Sequence, residues 1–226
     1  MGEAILARSV GGANITIDSP AANITRIIAN GQYTCTKTGT YRVICVGAGG
    51  GGGGYGTSQH AGGSASTFLR WGAGGGSGYI NEMTVFLNRG DSIPVTVGAG
   101  GSGGPYAINY NSPGKAALYG GTGGTTSFGT YLSATGGTGG NTGLAGSNSV
   151  GGIGANNGMG QEGYSNRVFA KGGFLYFGQD DFLVKTSKDN DRYVFSSYGS
   201  GGNGSNVSST NGQAGGGGFI TIYEIS

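Results

Sequence analysis

The sequence predicts a mainly irregular and β fold in which left-handed, three-residue polyglycine-II helices form a sandwich bracketed by a small antiparallel β-sheet. Three observations predict it. Glycine supplies 56 of the 226 residues and is gathered in blocks at 49–54, 74–76, 100–101, 123–124 and 215–218, where consecutive glycines abolish both helix and ordinary strand preference. Between the blocks lie apolar, aromatic stretches that hold most of the 13 Tyr and 9 Phe, unlike the polar composition of flexible linkers. Side chains inside the glycine stretches recur three apart, as Ala99 with Ser102, Thr122 with Thr125, and Thr138 with Asn141. A helix with three residues per turn puts each pair on one face and leaves its other faces bare. Bare faces let neighbours approach until backbone N–H and C=O groups pair between them, aided by Cα–H to carbonyl contacts. Collagen is excluded, because it needs a strict G-X-Y period with abundant proline, whereas this chain has a run of six glycines and four prolines. At about 3.1 Å per residue, a block of six to eight residues spans roughly 20–25 Å, one thickness of a compact domain.

The elements follow in order. Residues 1–31 read as an N-terminal attachment or strand segment, and 32–226 as one glycine-rich domain. Residues 13–18 alternate, Ser19-Pro20 turns, and 24–29 forms a further strand. Residues 32–46 predict a hairpin about Gly39. Residues 79–86 and 92–97 predict a second across Asn88-Arg89-Gly90-Asp91, and 127–134 a third about Gly129. The chain closes with a strand over 219–225. Irregular excursions are expected at 55–71, 105–119, 141–150, 155–171, 174–198 and 205–214. If the glycine segments alternate up and down, the strands at one end force 55–71 and 105–119 to the other. Counted onward from Gly136, the alternation returns the last strand to the sheet only if one excursion is not a reversal.

A net charge of +2, with charged residues at 10%, leaves no electrostatic footprint for nucleic acid or an anionic membrane. No apolar run is long enough to cross a bilayer, and MGEAILARSVGG lacks the basic and apolar regions of a secretory signal. The expectation is therefore a soluble chain that is not exported by that route. Cys35 and Cys45 fall out of register across a turn at Gly39, which predicts free thiols. The sequons at Asn14, Asn23, Asn203 and Asn206 carry little weight without a signal peptide.

Catalysis and cofactors are not expected. G-x-G-x-x-G patterns match trivially here, and none follows a strand and opens a helix. Ser112-Pro113-Gly114-Lys115-Ala116 ends in Ala where a phosphate loop needs Ser or Thr. His60 is the only histidine, so a triad or a multi-histidine metal site would have to be built on it alone. Asp180, Asp181, Asp189 and Asp191 could pair as glycosidase carboxylates or bind calcium, but Lys185, Lys188 and Arg192 intervene, and a solvated charged loop is the simpler reading. Binding is the better fit for the excursions, which combine Tyr with Asn and Ser as paratopes do: two-χ aromatics give contact area at low entropic cost, and amides adapt their hydrogen bonding. The candidate contact residues are Tyr55, His60, Tyr106, Asn109, Tyr110, Asn111, Tyr164, Asn166, Tyr176, Phe177, Asn206 and Asn211. Trp71 and Phe128, adjacent to glycine blocks, are expected to cover the ends of the glycine helices instead.

The order of blocks carries a resemblance. YRVICVGAGGGGGGYG (41–56), GYINEMTVFLNRGDSIPVTVGAGG (78–101), GGTTSFGTYLSATGGTGG (123–140) and GGGGFITIYEIS (215–226) together look like the glycine-rich domain of tailed-bacteriophage tail fibres. Related glycine-rich sandwiches occur in the distal adhesins of T-even-like phages and in the extracellular part of the anaplastic lymphoma kinase receptor. The resemblance covers roughly residues 32–226 and rests on the strand, Val-Gly-Ala-Gly-Gly, hairpin and Thr-Ser-Phe-Gly elements in this order. It implies a virion protein at the distal tail fibre, made in the host cytoplasm. Its excursions would bind a bacterial surface receptor, protein or glycan, and it would be held by a fibre shaft protein or by self-association. The T-even-like adhesins carry a larger N-terminal docking module, whereas about 30 residues precede the glycine domain here. Two other readings compete: an extracellular glycine-rich ligand-binding or structural module, which should show a signal peptide and paired cysteines, and an ice-binding protein, which should show a long flat array of Thr or Ala with short turns.

Overall fold

The computed structural model describes residues 24–59, 67–70, 72–106, 119–141, 186–189, 192–195, 198–205 and 211–225. Its strands are β1 (Ile24–Ile27), β2 (Gly31–Thr34), β3 (Gly39–Val46), β4 (Gly56–Gln59), β5 (Thr67–Arg70), β6 (Ile80–Leu87), β7 (Ser92–Thr96), β8 (Thr126–Phe128), β9 (Leu132–Ala134), β10 (Thr186–Asp189), β11 (Arg192–Phe195) and β12 (Phe219–Glu224). Among the described residues no helix is formed, and the protein is mainly β. The stretch at 13–18 lies outside the described residues.

Period-two alternation builds the core. On β3, Tyr41, Val43 and Cys45 share a face, joined by Val85 and Leu87 of β6 and by Ile220 and Ile222 of β12. These strands form an antiparallel sheet in the order β1-β12-β3-β6. A second antiparallel sheet, β2-β7-β8-β9, faces it and contributes Ile93, Val95, Phe128, Leu132 and Ala134 to the same cluster. The single small sheet expected is thus two facing four-stranded sheets, with two further ribbons, β4-β5 and β10-β11. Phe128 is fully buried in the core between the sheets, not over the end of a glycine segment. Cys35 and Cys45 are buried and free.

Only one of the three expected hairpins is a hairpin. β8 and β9 pair about Gly129, whose φ of 52° suits a residue without Cβ. By contrast, β2 pairs with β7 while β3 pairs with β12 and β6, so 32–46 crosses from one sheet to the other, as does the chain from β6 to β7. The two crossings bond to each other: Cys35 N–H donates to Asp91 O and Gly90 N–H to Cys35 O, both at 2.8 Å, and Arg89 N–H donates to Thr38 Oγ1 at 2.9 Å. Two strands that bury one face on a common core show the same alternation whether they pair or oppose, which is why the pattern alone suggests hairpins.

The glycine stretches stack beyond this sandwich. Segment 47–55 leaves β3 and is hydrogen-bonded to six others, with a period of three. Gly47, Gly50 and Gly53 donate to Tyr79, Gly76 and Ala73; Ala48 and Gly51 donate to Gly124 and Gly121; Gly49 and Gly52 donate to Gly216 and Gln213, all at 2.7–3.1 Å. The falling partner numbers make segments 72–79, 119–125 and 211–218 antiparallel to it. Its carbonyls accept from Gly137 and Gly140, from Gly101 and Gly104, and from Gly202 and Ser205, and the rising numbers make 135–141, 97–106 and 199–205 parallel. The six also bond around the ring, through Gly76 to Thr138, Gly123 to Gly137, Gly121 to Ser102, Gly215 to Gly101, Gly216 to Ser200 and Gly75 to Gly202. The ring closes on itself.

This register defines two poles. Gly47, Tyr79, Gly98, Gly124, Thr135, Gly199 and Gly218 lie at the sheet pole, and Gly53, Gly72, Gly104, Gly120, Asn141, Ser205 and Gly212 at the far pole. The stretch between Asn141 and Gly199, which holds the excursions expected at 141–150, 155–171 and 174–198, begins at the far pole and ends at the sheet pole. Side chains spaced by three do share a face: Ala99, Ser102, Thr122, Thr125 and Thr138 are all exposed, and Asn141 is partly so.

Two expected outcomes follow. A Cβ added at Gly51 would lie 1.9 Å from the Ser102 carbonyl oxygen, so Gly51→Val should cost at least about 2 kcal/mol by overpacking. Thr122→Ala on the exposed face should stay within about 0.5 kcal/mol in the same denaturant titration. Burial pushes the Cys45 thiol from 9.0 up to about 12, opposed in part by a backbone hydrogen bond from Phe128, and burial followed by the bond with Cys35 raises the Tyr41 hydroxyl. Below pH 9 the folded and unfolded chains both keep the Cys45 proton, and above it only the unfolded chain releases it. The stabilisation is therefore complete below pH 9 and is lost as pH rises toward 12. Unfolding free energy should fall over that window, with a shallower slope in Cys45→Ala.

Candidate functional site

Excursions leaving the far pole begin and end on the glycine segments, so the position of each stem is set by the ring. Going round it, 119–125 bonds to 97–106, which bonds to 211–218. Tyr119, Tyr106 and Asn211 therefore stand at the far-pole ends of three consecutive segments. Tyr106 is 45% exposed and Tyr119 58% exposed, and Asn211 is exposed. The Tyr106 N–H donates to Asn211 Oδ1 at 3.0 Å, tying the stem of one excursion to that of another. Deeper in, Asn203 Nδ2 donates to Gln213 Oε1 at 2.9 Å across adjacent segments.

Of the candidate contact residues, the structure places Tyr106 and Asn211 side by side and exposed. Tyr55 also lies at this pole, but it is 3% exposed and its hydroxyl pKa is raised by burial. Its ring supports the end of the array and does not offer a contact face. His60, Asn109, Tyr110, Asn111, Tyr164, Asn166, Tyr176, Phe177 and Asn206 lie outside the described residues, as do Trp71, Asp180, Asp181 and Asp191.

Tyr119, exposed at the same pole, is not among the candidate contact residues. In the sequence Tyr55 and Tyr119 look alike, each an aromatic abutting glycines. The difference is topological: Tyr55 ends the central segment, which has neighbours on every side, whereas Tyr119 opens a ring segment with one side toward solvent. A signal existed in the run lengths, since the six glycines before Tyr55 leave room for backbone neighbours all round, while 120–125 already carries Thr122 and Thr125 on one face.

Two excursions expected to be irregular contain strands. Within 55–71, β4 pairs with β5 from Gly56 opposite Arg70 to Gln59 opposite Thr67. Within 174–198, β10 pairs with β11, bringing Asp189 opposite Arg192.

Charge is absent from the array. The seven glycine segments contain no Asp, Glu, Lys or Arg. Lys37 pairs with Glu224, and Arg42 pairs with Glu82 at 2.6 Å, in the sheets. Arg42 also lies over the Tyr223 ring and Arg26 over the Phe219 ring, at 5.7 and 5.8 Å. Among the described residues no group of three His, Cys, Asp or Glu is placed to hold a metal ion, and no helix is long and apolar enough to cross a membrane.

No family model matches the chain, and no curated protein matches it.

Because the Tyr55 ring is packed at the junction of the central segment with β4, Tyr55→Ala should lower stability by about 3 kcal/mol, read as a fall in melting temperature. An unchanged melting temperature would return Tyr55 to the list of contact residues.

Proposed function

We propose that the glycine segments form a polyglycine-II sandwich and that the protein is a non-enzymatic adhesin of the tail-fibre type, binding a bacterial surface receptor through its far-pole excursions. The observation that carries the reading is the closed ring of six segments about a seventh, bonded with a period of three. Three residues per turn is the repeat of this helix, and of the glycines in the described segments only Gly199 has a positive φ. Such an array is a rigid spacer. It holds Tyr106 and Tyr119 at one pole while the sheets occupy the other, which suits a tip mounted on a fibre shaft, or on further copies of itself, by its sheet pole.

The contact chemistry is that of a paratope. Exposed Tyr rings give large area for few rotors, and amides and hydroxyls supply adaptable hydrogen bonds to a protein or glycan receptor without a cofactor. The setting that follows is a virion, at the distal end of the tail fibre.

One observation favours a second reading. Thr122 and Thr125 are exposed on a segment adjacent to that bearing exposed Thr135 and Thr138, a small regular array of the kind ice binding would use. The array is two residues deep on each segment, and the excursions are long and aromatic, so adhesion is the better reading. A measurement of thermal hysteresis separates them.

Adsorption of labelled protein to intact bacteria tests the adhesin. Tyr106→Ala with Tyr119→Ala should weaken it by about 2 kcal/mol, roughly thirtyfold, with little change in melting temperature. Protease or periodate treatment of the cells then assigns the receptor to protein or glycan. Equal adsorption by the double variant and the parent would refute the assignment.

A further inference from the structure

Segment 97–106 is held at its sheet-pole end by side-chain oxygens. Val97 N–H donates to Asn30 Oδ1 at 2.7 Å, and Gly98 N–H to Thr126 Oγ1 at 3.1 Å. Between the ends the backbone rungs take over: Gly101 and Gly104 donate to Gly49 and Gly52, while the carbonyls of Gly98, Gly101 and Gly104 accept from Gly218, Gly215 and Gly212. One step beyond the Gly212 to Gly104 rung, the Asn211 carboxamide receives the Tyr106 N–H. The side chain extends the ladder by one step, at the residue whose ring is 45% exposed.

We propose that Asn211 is a positioning residue: its Oδ1 fixes the Tyr106 backbone where the chain leaves the array and so presets the direction in which the Tyr106 ring meets a ligand. A fixed anchor side chain loses less conformational entropy on binding than a free one, so the gain appears as affinity without any contact from Asn211 itself. The binding arm of this inference rests on the adhesin reading; the hydrogen-exchange arm does not.

The test uses the full chain with Asn211→Ala, which removes the acceptor, and Asn211→Asp, which keeps it. Exchange of the Tyr106 amide should quicken at least about tenfold in Asn211→Ala and change little in Asn211→Asp, with melting temperatures close to the parent. In adsorption, Asn211→Ala should weaken binding by about tenfold on its own and by less than about twofold in a Tyr106→Ala background, because no ring is left to position. An unchanged Tyr106 exchange rate in Asn211→Ala overturns the clamp. Losses that multiply in full in the double variant make Asn211 a direct contact and overturn the positioning role. If the parent adsorbs to no cell, the adhesin reading falls, and the exchange result still decides whether Asn211 holds Tyr106.

Discussion

The close approach of backbones in the glycine array is the constraint on which the rest of the molecule depends. Each N–H of the central segment from Gly47 to Gly53 is answered by a carbonyl of a neighbour at hydrogen-bonding distance, and apart from the small side chain of Ala48 that spacing leaves no room for one. Cβ atoms at Gly50, Gly51 and Gly52 would sit 2.1, 1.9 and 2.0 Å from the carbonyl oxygens of Thr138, Ser102 and Asn203. Burying main-chain polar groups is costly unless they are paired, and here pairing is bought by removing side chains. The hydrophobic core sits elsewhere, between the two sheets. One part of the molecule is held by apolar contact and the other by backbone bonds.

That division sets what each part can vary. The sheets need specific apolar faces, and the segments need glycine inside and accept small polar residues outside. The excursions meet neither requirement, so they are where sequence is free to follow a ligand. The exposed Tyr106 and Tyr119 sit at the far-pole ends of two segments of the array. The array itself carries no charge, and Arg70 of β5, opposite Gly56, is a charged residue at its far end.

Much of this was legible in the residues. The period of three in Ala99 and Ser102, Thr122 and Thr125, and Thr138 and Asn141 foretold which side chains face solvent, and the apolar runs at 41–46 and 219–225 foretold two central strands. The placement of excursions 55–71 and 105–119 away from the sheets followed from alternation. What the residues did not reveal was pairing. The corners at 35–38 and 88–91 were read as hairpins because two opposed sheets impose the same alternation as two paired strands. The burial of Tyr55 against the exposure of Tyr119 depends on which segment becomes central, a property of the whole ring that neither local sequence contains. The tie from Asn211 to Tyr106 spans 105 positions and has no local signature.

The order in which the ring is assembled carries its own consequence. The central segment is the first of the seven in the chain, yet four of its backbone bonds are answered only by 199–205 and 211–218, and β12, at the other end, inserts between β1 and β3. A nascent chain thus makes the hub before any of its spokes exist, and the hub groups that pair with 199–205 and 211–218 stay in water until those segments are made. Contacts of such sequence separation close loops late and slowly. Closure of the array should therefore wait for segment 211–218 and β12, and a chain lacking them would lose one ring segment and an interior strand of the sheet, leaving the N–H groups of Gly49 and Gly52 without these partners.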